Sequence, residues 1–181
     1  MDVMDAQREI RSVYMGGFAG QLVSSVVWFL SAAAATWVSP KVGIYVLVIG
    51  GFFIFVLTQL LLRAMGRPAS VSAQNPMNQL AMQIAFTLPF SLPLVAAATL
   101  YRFHWFYPAF MIALGTHYLP FMFLYGMWLF GPLAAILIGS GLAIGLYGPE
   151  IFSLGGWLTA CVLLVFAFVG RAVSVSEKYQ G

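Results

Sequence analysis

Charge is what this sequence has least of. Asp, Glu, Lys and Arg make up 7% of its 181 residues, where a water-soluble domain carries about 25%. Acidic residues are scarcest: Asp2, Asp5, Glu9, Glu150 and Glu177 are the whole set. All five lie at ends or in loops, outside every long apolar run. That argues against a cation antiporter built on an intramembrane carboxylate, and against hydrolysis by a carboxylate pair. Cysteine occurs once, at Cys161, which excludes an internal disulfide framework and a thiolate metal cluster. Cys161 itself reads as a small buried hydrophobe in a helix. Two histidines and one cysteine fall short of a tetrahedral zinc site, so no metal ligand set is assigned. His104 and His117 are about 20 Å apart along a helix, too far to clamp one haem. No phosphate-binding glycine loop or dinucleotide fingerprint is present. No cofactor is therefore expected, and no catalytic residue is assigned. The net charge of +3 is too small and too dispersed to indicate nucleic acid.

What the chain has is apolar length. Hydrophobic residues make up 62% of it and the mean hydropathy is +0.95. That much apolar surface needs a bilayer to cover it, with roughly 20 residues for each helical crossing. The reading is an all-α polytopic membrane protein of six transmembrane helices. A polar lead-in, 1–13, precedes spans at about 14–37, 40–62, 76–100, 108–127, 132–147 and 153–170, and a polar tail, 171–181, follows. Proline marks several starts, because its missing N–H is not needed in a first helical turn. Ser39-Pro40, Asn75-Pro76, Tyr107-Pro108 and Gly131-Pro132 are read this way, with Asn75 and Ser153 as candidate N-caps. The first run is longer than a signal-peptide core of roughly 7–15 residues and is expected to be retained.

Basic residues set the orientation. With the N-terminus inside, Arg8, Arg11, Arg63, Arg67, Arg171 and Lys178 fall on the cytoplasmic side, and Lys41 and Arg102 fall opposite. This predicts a multi-pass protein of the cell membrane, of bacterial inner-membrane type, with both termini cytoplasmic. A faint echo between Gly20-Gln21, Ser39-Pro40, Ile49-Gly50-Gly51 and Gly115-Thr116, Gly131-Pro132, Ile138-Gly139-Ser140-Gly141 divides the chain into two three-helix halves. An odd number of spans per half would make them inverted repeats, as in many transporters. Membrane lipids are the expected partners, with a small-molecule ligand as a candidate. Gly16/Gly20 and Gly141/Gly145 have the spacing of close helix contacts, within the chain or in a homo-oligomer.

Polar chemistry at membrane depth concentrates in Gly115–Tyr125. His117 sits near the middle of span four, where an ionisable group should face protein or water. Pro120 has no N–H for the carbonyl of Thr116, which predicts a bare carbonyl beside the imidazole. Tyr118 and Tyr125 add two phenols. In span three, Gln79, Gln83, Thr87 and Ser91 recur every fourth residue as one stripe, while Pro89 and Pro93 free two more carbonyls. The candidate ligand-binding set is His117, Tyr118, Tyr125, Thr116, Gln83 and Thr87, with Pro89, Pro93 and Pro120 as hinges. Gln21, Ser24, Ser25 and Trp28 in span one read as packing. Glu150 is expected to pair with Arg102 or Lys41. Gly139-Ser140-Gly141 is like the serine loop of intramembrane proteases, but His117 precedes it, the wrong order for that chemistry.

The His-Tyr-Leu-Pro-Phe stretch at 117–121, followed by Tyr125-Gly126-Met127, together with the charged leader and six-span layout, resembles a family of small, functionally uncharacterised bacterial integral membrane proteins. The resemblance implies the architecture and no activity. Three functions remain open. The first is transport or sensing of a small solute through a pocket between spans three and four. The second is a non-catalytic subunit or scaffold, and the third a membrane enzyme acting on lipid or quinone.

Overall fold

A computed structural model describes residues 1–68 and 70–178. The end of the tail, 179–181, and the side chains from 176 onward, including Glu177 and Lys178, lie outside the described residues. The fold is all helical: α1 (Val3–Tyr14), α2 (Phe18–Trp37), α3 (Pro40–Ala64), α4 (Met77–Tyr101), α5 (Phe106–Tyr118), α6 (Phe121–Tyr125), α7 (Phe130–Tyr147) and α8 (Leu154–Lys178). Among the described residues, six helical segments are long and apolar enough to cross a membrane, α5 and α6 together forming most of the fourth. The protein is a polytopic helical membrane protein.

The lead-in is not a loose extension. Asp2 caps α1, accepting from the Val3 N–H at 2.6 Å, and Ala6, Ile10 and Val13 bury one face of the helix. The change from polar to apolar sequence at about residue 14 falls close to the break between α1 and α2 but gives no sign of its geometry. The break is made by three consecutive positive φ angles, at Met15 (54°), Gly16 (66°) and Gly17 (88°). A Cβ on Gly16 would lie 2.6 Å from the carbonyl oxygen of Gly170 in α8. The candidate oligomer glycine Gly16 is therefore used inside the chain. Gly141 and Gly145 both face Pro108 of α5.

Packing is strongly uneven. α2 packs against α3 and α8, and α5 packs against α7 and α4. The α2 interfaces are pinned by buried hydrogen bonds. Ser25 donates to the Ala160 carbonyl at 2.8 Å. Ser31 donates to the Gly43 carbonyl at 2.8 Å, so the Tyr107 hydroxyl, 2.6 Å away, donates to Ser31. Trp28 is 1% exposed and packs edge-on to Phe110. Ser25 and Trp28 thus act as packing residues.

Two readings of single residues are corrected. Cys161 is exposed on α8, because the buried face of that helix carries Ala160, Leu163 and Ala167 instead. Glu150 lies 4.0 Å from His104 Nε2 rather than at Arg102, whose guanidinium stacks over Trp105 at 5.4 Å. α8 also runs on through Lys178, past the drop in hydropathy at Gly170.

Candidate functional site

A cavity of about 410 Å³ lies within the bundle. Its back wall comes from α2, α5 and α6, and its sides from α3 and α4. α3 is held by α2 and α4 by α5, but α3 and α4 form no packed interface with each other among the described residues. The cavity therefore opens between them. Phe52 and Phe55 line it while remaining 63% and 68% exposed, which places them at the mouth. Phe52 and Pro89 sit at the midpoints of α3 and α4, so the mouth is at mid-membrane depth.

The floor is built by α1. Ile10 and Tyr14 line the cavity beside Val71, Leu124 and Tyr125. α1 is held there from two sides. Glu9 accepts from the Ser72 N–H at 2.7 Å, the Ser72 hydroxyl at 3.1 Å and Asn75 Nδ2 at 2.8 Å. These donors hold the Glu9 carboxyl below its ordinary range, the Ser72 N–H being the largest cause. On the other side, Arg11 donates to the Tyr125 carbonyl at 2.7 Å and Gln7 to the Phe123 carbonyl at 2.5 Å. Both carbonyls lie in the last turn of α6; that of Phe123 also accepts from the Gly126 N–H at 3.2 Å. Gly126 follows with φ 61°, and a Cβ there would lie 2.6 Å from Gln7 Oε1. Asn75 Oδ1 also accepts from the Met77 N–H at 2.9 Å in a turn just before α4, whose N-cap position is Pro76 rather than Asn75.

The sequence-predicted residues divide. His117, Tyr118, Tyr125 and Pro89 line the cavity. Thr87 does not line it but positions His117. Its hydroxyl donates to the Ile84 carbonyl at 2.7 Å and lies 2.8 Å from His117 Nδ1. A hydroxyl has one proton, so Thr87 accepts from Nδ1–H. In a neutral imidazole that tautomer leaves Nε2 as an acceptor. Gln83 and Thr116 are exposed and outside the cavity, and Pro93 is also exposed. The Thr116 carbonyl is not bare as expected. The chain breaks at the proline, and the Leu119 N–H reaches that carbonyl at 3.3 Å, while Pro120 opens α6 with φ −64°. The carbonyls at the cavity that lose a helical donor to proline are those of Ala85 and Pro89, four residues before Pro89 and Pro93, and Ala85 and Pro89 both line the wall.

Sequence reasoning missed Gln21 as a site residue. It is 2% exposed, lines the cavity, and neither Oε1 nor Nε2 has a hydrogen-bond partner among the described residues. Gly20 and Gly51 flank this region, and a Cβ on either would meet nothing within 4 Å. The available signal was an amide in the first span with two glycines close by in sequence, Gly17 and Gly20, which the packing reading absorbed. No Asp, Glu, Lys or Arg lines the cavity among the described residues. Arg8, Arg11, Arg67 and Arg171 instead line a separate cleft of about 480 Å³.

Fold and cavity together define a multi-pass helical membrane protein with an intramembrane cavity open to one flank. The chain belongs to the family of unknown function DUF7010, whose model matches residues 3–171. No curated protein and no solved structure matches it.

Proposed function

We propose that this protein binds an uncharged, largely apolar molecule that enters from the membrane between α3 and α4. The observation that carries this reading is the unsealed mouth at mid-membrane depth, with Phe52 and Phe55 at its rim. Binding sites for small molecules are mostly apolar, with a few placed polar groups. Here those groups are His117 Nε2, Tyr118, Tyr125 and the Ala85 carbonyl. The set favours carriage or sensing of a lipid-soluble molecule over passage of an ion. A scaffold role would be served equally well by a sealed bundle. Pro89 supplies a flexible point beside the mouth, and Pro93 and Pro120 are the further candidate hinges.

The orientation we favour has both termini cytoplasmic, in a bacterial inner membrane. Arg8, Arg11, Arg67 and Arg171 share one cleft at the end of the bundle where α1 docks, which suits the basic side of a membrane protein. A two-fold relation between halves is also favoured. The first span of each half, α2 or α5, packs on the second span of its own half and the third of the other.

Photolabelling in lipid nanodiscs tests the cavity reading. An alkyl diazirine, with labelling resolved residue by residue, should label the buried back-wall residues Gln21, Ser24, Leu114 and Tyr118, which lipid reaches only through the mouth. Gly51→Phe should abolish that labelling, because a side chain there extends into open space. Back-wall labelling that is absent, or that persists in Gly51→Phe, overturns the proposal.

A further inference from the structure

We infer that Gln21 is the headgroup anchor of the cavity. Its ligand is an uncharged amphiphile whose head carries a hydrogen-bond donor beside an acceptor, as in a protonated fatty acid or a primary fatty amide. This rests on the cavity reading above and adds the chemistry of the ligand.

The argument starts from cost. A carboxamide in hydrocarbon surroundings loses several kcal/mol for each polar atom left without a partner. Buried polar groups in folded proteins are accordingly almost all satisfied. Neighbouring polar residues of α2 obey that rule: Ser25 reaches the Ala160 carbonyl and Ser31 the Gly43 carbonyl. Gln21, on the same helix, reaches nothing with either atom among the described residues. It lines the cavity, where a partner can arrive from outside the chain, and its amide, covered in this conformation, must turn to meet one. A leucine would fill the same volume without penalty.

Space and geometry agree. The Nε2 atom is 3.9 Å from where a Cβ on Gly17 would stand, and Gly20 and Gly51 leave the adjoining volume open. The terminal torsion of glutamine is broad, so the amide plane turns toward the cavity without leaving a rotamer well. A carboxamide presents an N–H donor and a carbonyl acceptor side by side. Its full complement is a head presenting an acceptor and a donor at the same spacing. A carboxylic acid or a primary amide does this with two parallel hydrogen bonds, and a hydrocarbon, an ester or an ether does not. A phosphate or a quaternary amine is disfavoured for a second reason. No charged side chain lines the cavity among the described residues, so nothing there would offset the loss of that head's hydration.

The test compares diazirine probes with one alkyl tail and four heads: primary amide, carboxylic acid, methyl ester and phosphate monoester. Each is titrated into the full-length protein in nanodiscs, and back-wall labelling is quantified by mass spectrometry. The amide should label at about fivefold lower concentration than the ester, since the ester carbonyl still accepts from Nε2–H and only the donor to Oε1 is lost. The acid should match the amide at pH 5 and fall away at pH 8, and the phosphate should not label. Gln21→Leu should bring amide and ester within about twofold of each other while ester labelling is retained. Equal labelling by amide and ester in the unaltered protein overturns the inference and leaves the cavity reading standing. So does a preference for the amide that survives in Gln21→Leu, which would fit an amide held only by water. Absence of all back-wall labelling overturns the cavity reading itself. If Gln21→Leu fails to fold, Gln21→Met, which keeps the length of the side chain and removes the amide, carries the same comparison.

Discussion

His117 Nδ1 lies 2.8 Å from the hydroxyl of Thr87, one helix away, and Thr87 spends its own proton on the Ile84 carbonyl. This relay fixes which imidazole nitrogen carries hydrogen. In ¹⁵N spectra of labelled protein, His117 should show a protonated Nδ1 and an unprotonated Nε2. Thr87→Val should mix the two tautomers. The stability cost should be about 0.6 kcal/mol, the average for a hydrogen bond between membrane helices. An Nε2–H tautomer in the unaltered protein would contradict the assignment.

Glu9 makes the docking of α1 dependent on pH. Its carboxyl is held below the ordinary range, mainly by the Ser72 N–H. The charged form is therefore the one favoured by the folded state. The resulting stabilisation is fully present above the unfolded value of about 4.3 and is lost as pH falls through the lower folded value. Protection against hydrogen exchange in residues 3–14, relative to the unfolded rate at the same pH, should be high at neutral pH and fall in acid below the ordinary carboxylate range. Glu9→Gln should exchange faster at neutral pH and lose most of that pH dependence.

Gly43 and Gly51 lie on one helix and should respond oppositely to the same change. A Cβ on Gly43 would stand 2.5 Å from the Ala35 Cβ and 2.9 Å from the Ser31 carbonyl oxygen. Gly43→Ala should cost about 1–3 kcal/mol through forced separation of α2 and α3. Gly51→Ala meets nothing and should be neutral, or stabilising by up to about 1 kcal/mol from helix propensity. Unfolding monitored by steric trapping in bicelles separates the two.

The Ser31 hydroxyl serves both Gly43 and Tyr107, and Tyr107 is fully buried. Tyr107→Phe removes only the donor to Ser31 and should cost about 1 kcal/mol. Ser31→Ala strands a buried phenol and should cost more, about 1–3 kcal/mol. Equal costs, or the reverse order, would show that Tyr107 finds another acceptor.

The helical class and the number of crossings were legible because bilayer thickness imposes them on hydropathy. Ser39-Pro40 was legible as a helix start for a local reason: the serine hydroxyl accepts from the Val42 N–H at 3.3 Å, and proline occupies the first turn. His117 was legible as a cavity residue because a lone imidazole in an apolar run has few other places to go. What could not be read depended on partners distant in sequence. Arg11 and Tyr125 are 114 residues apart, and nothing local to either signals their hydrogen bond. The turn at Met15 uses a positive φ in a residue that composition gives no reason to suspect. Gln21 reads as glue between helices, and only three-dimensional packing reveals that the glue has nothing to hold. The stripe through Gln79 and Gln83 has the right period but points outward, because periodicity identifies a face without saying what the face meets.

The docking of α1 has a consequence for how the protein is made. This helix, synthesised ahead of the crossings, rests on partners at Ser72, Asn75, Phe123 and Tyr125. It has no complete seat until the fourth crossing has left the ribosome. Until then the growing bundle has an open-ended cleft, with Ile10 and Tyr14 not yet in place. A nascent chain arrested before residue 123 should leave 3–14 open to protease, and one arrested after Gly126 has emerged should protect it. The amino terminus therefore reports, by its own protection, that the cavity behind it has been closed.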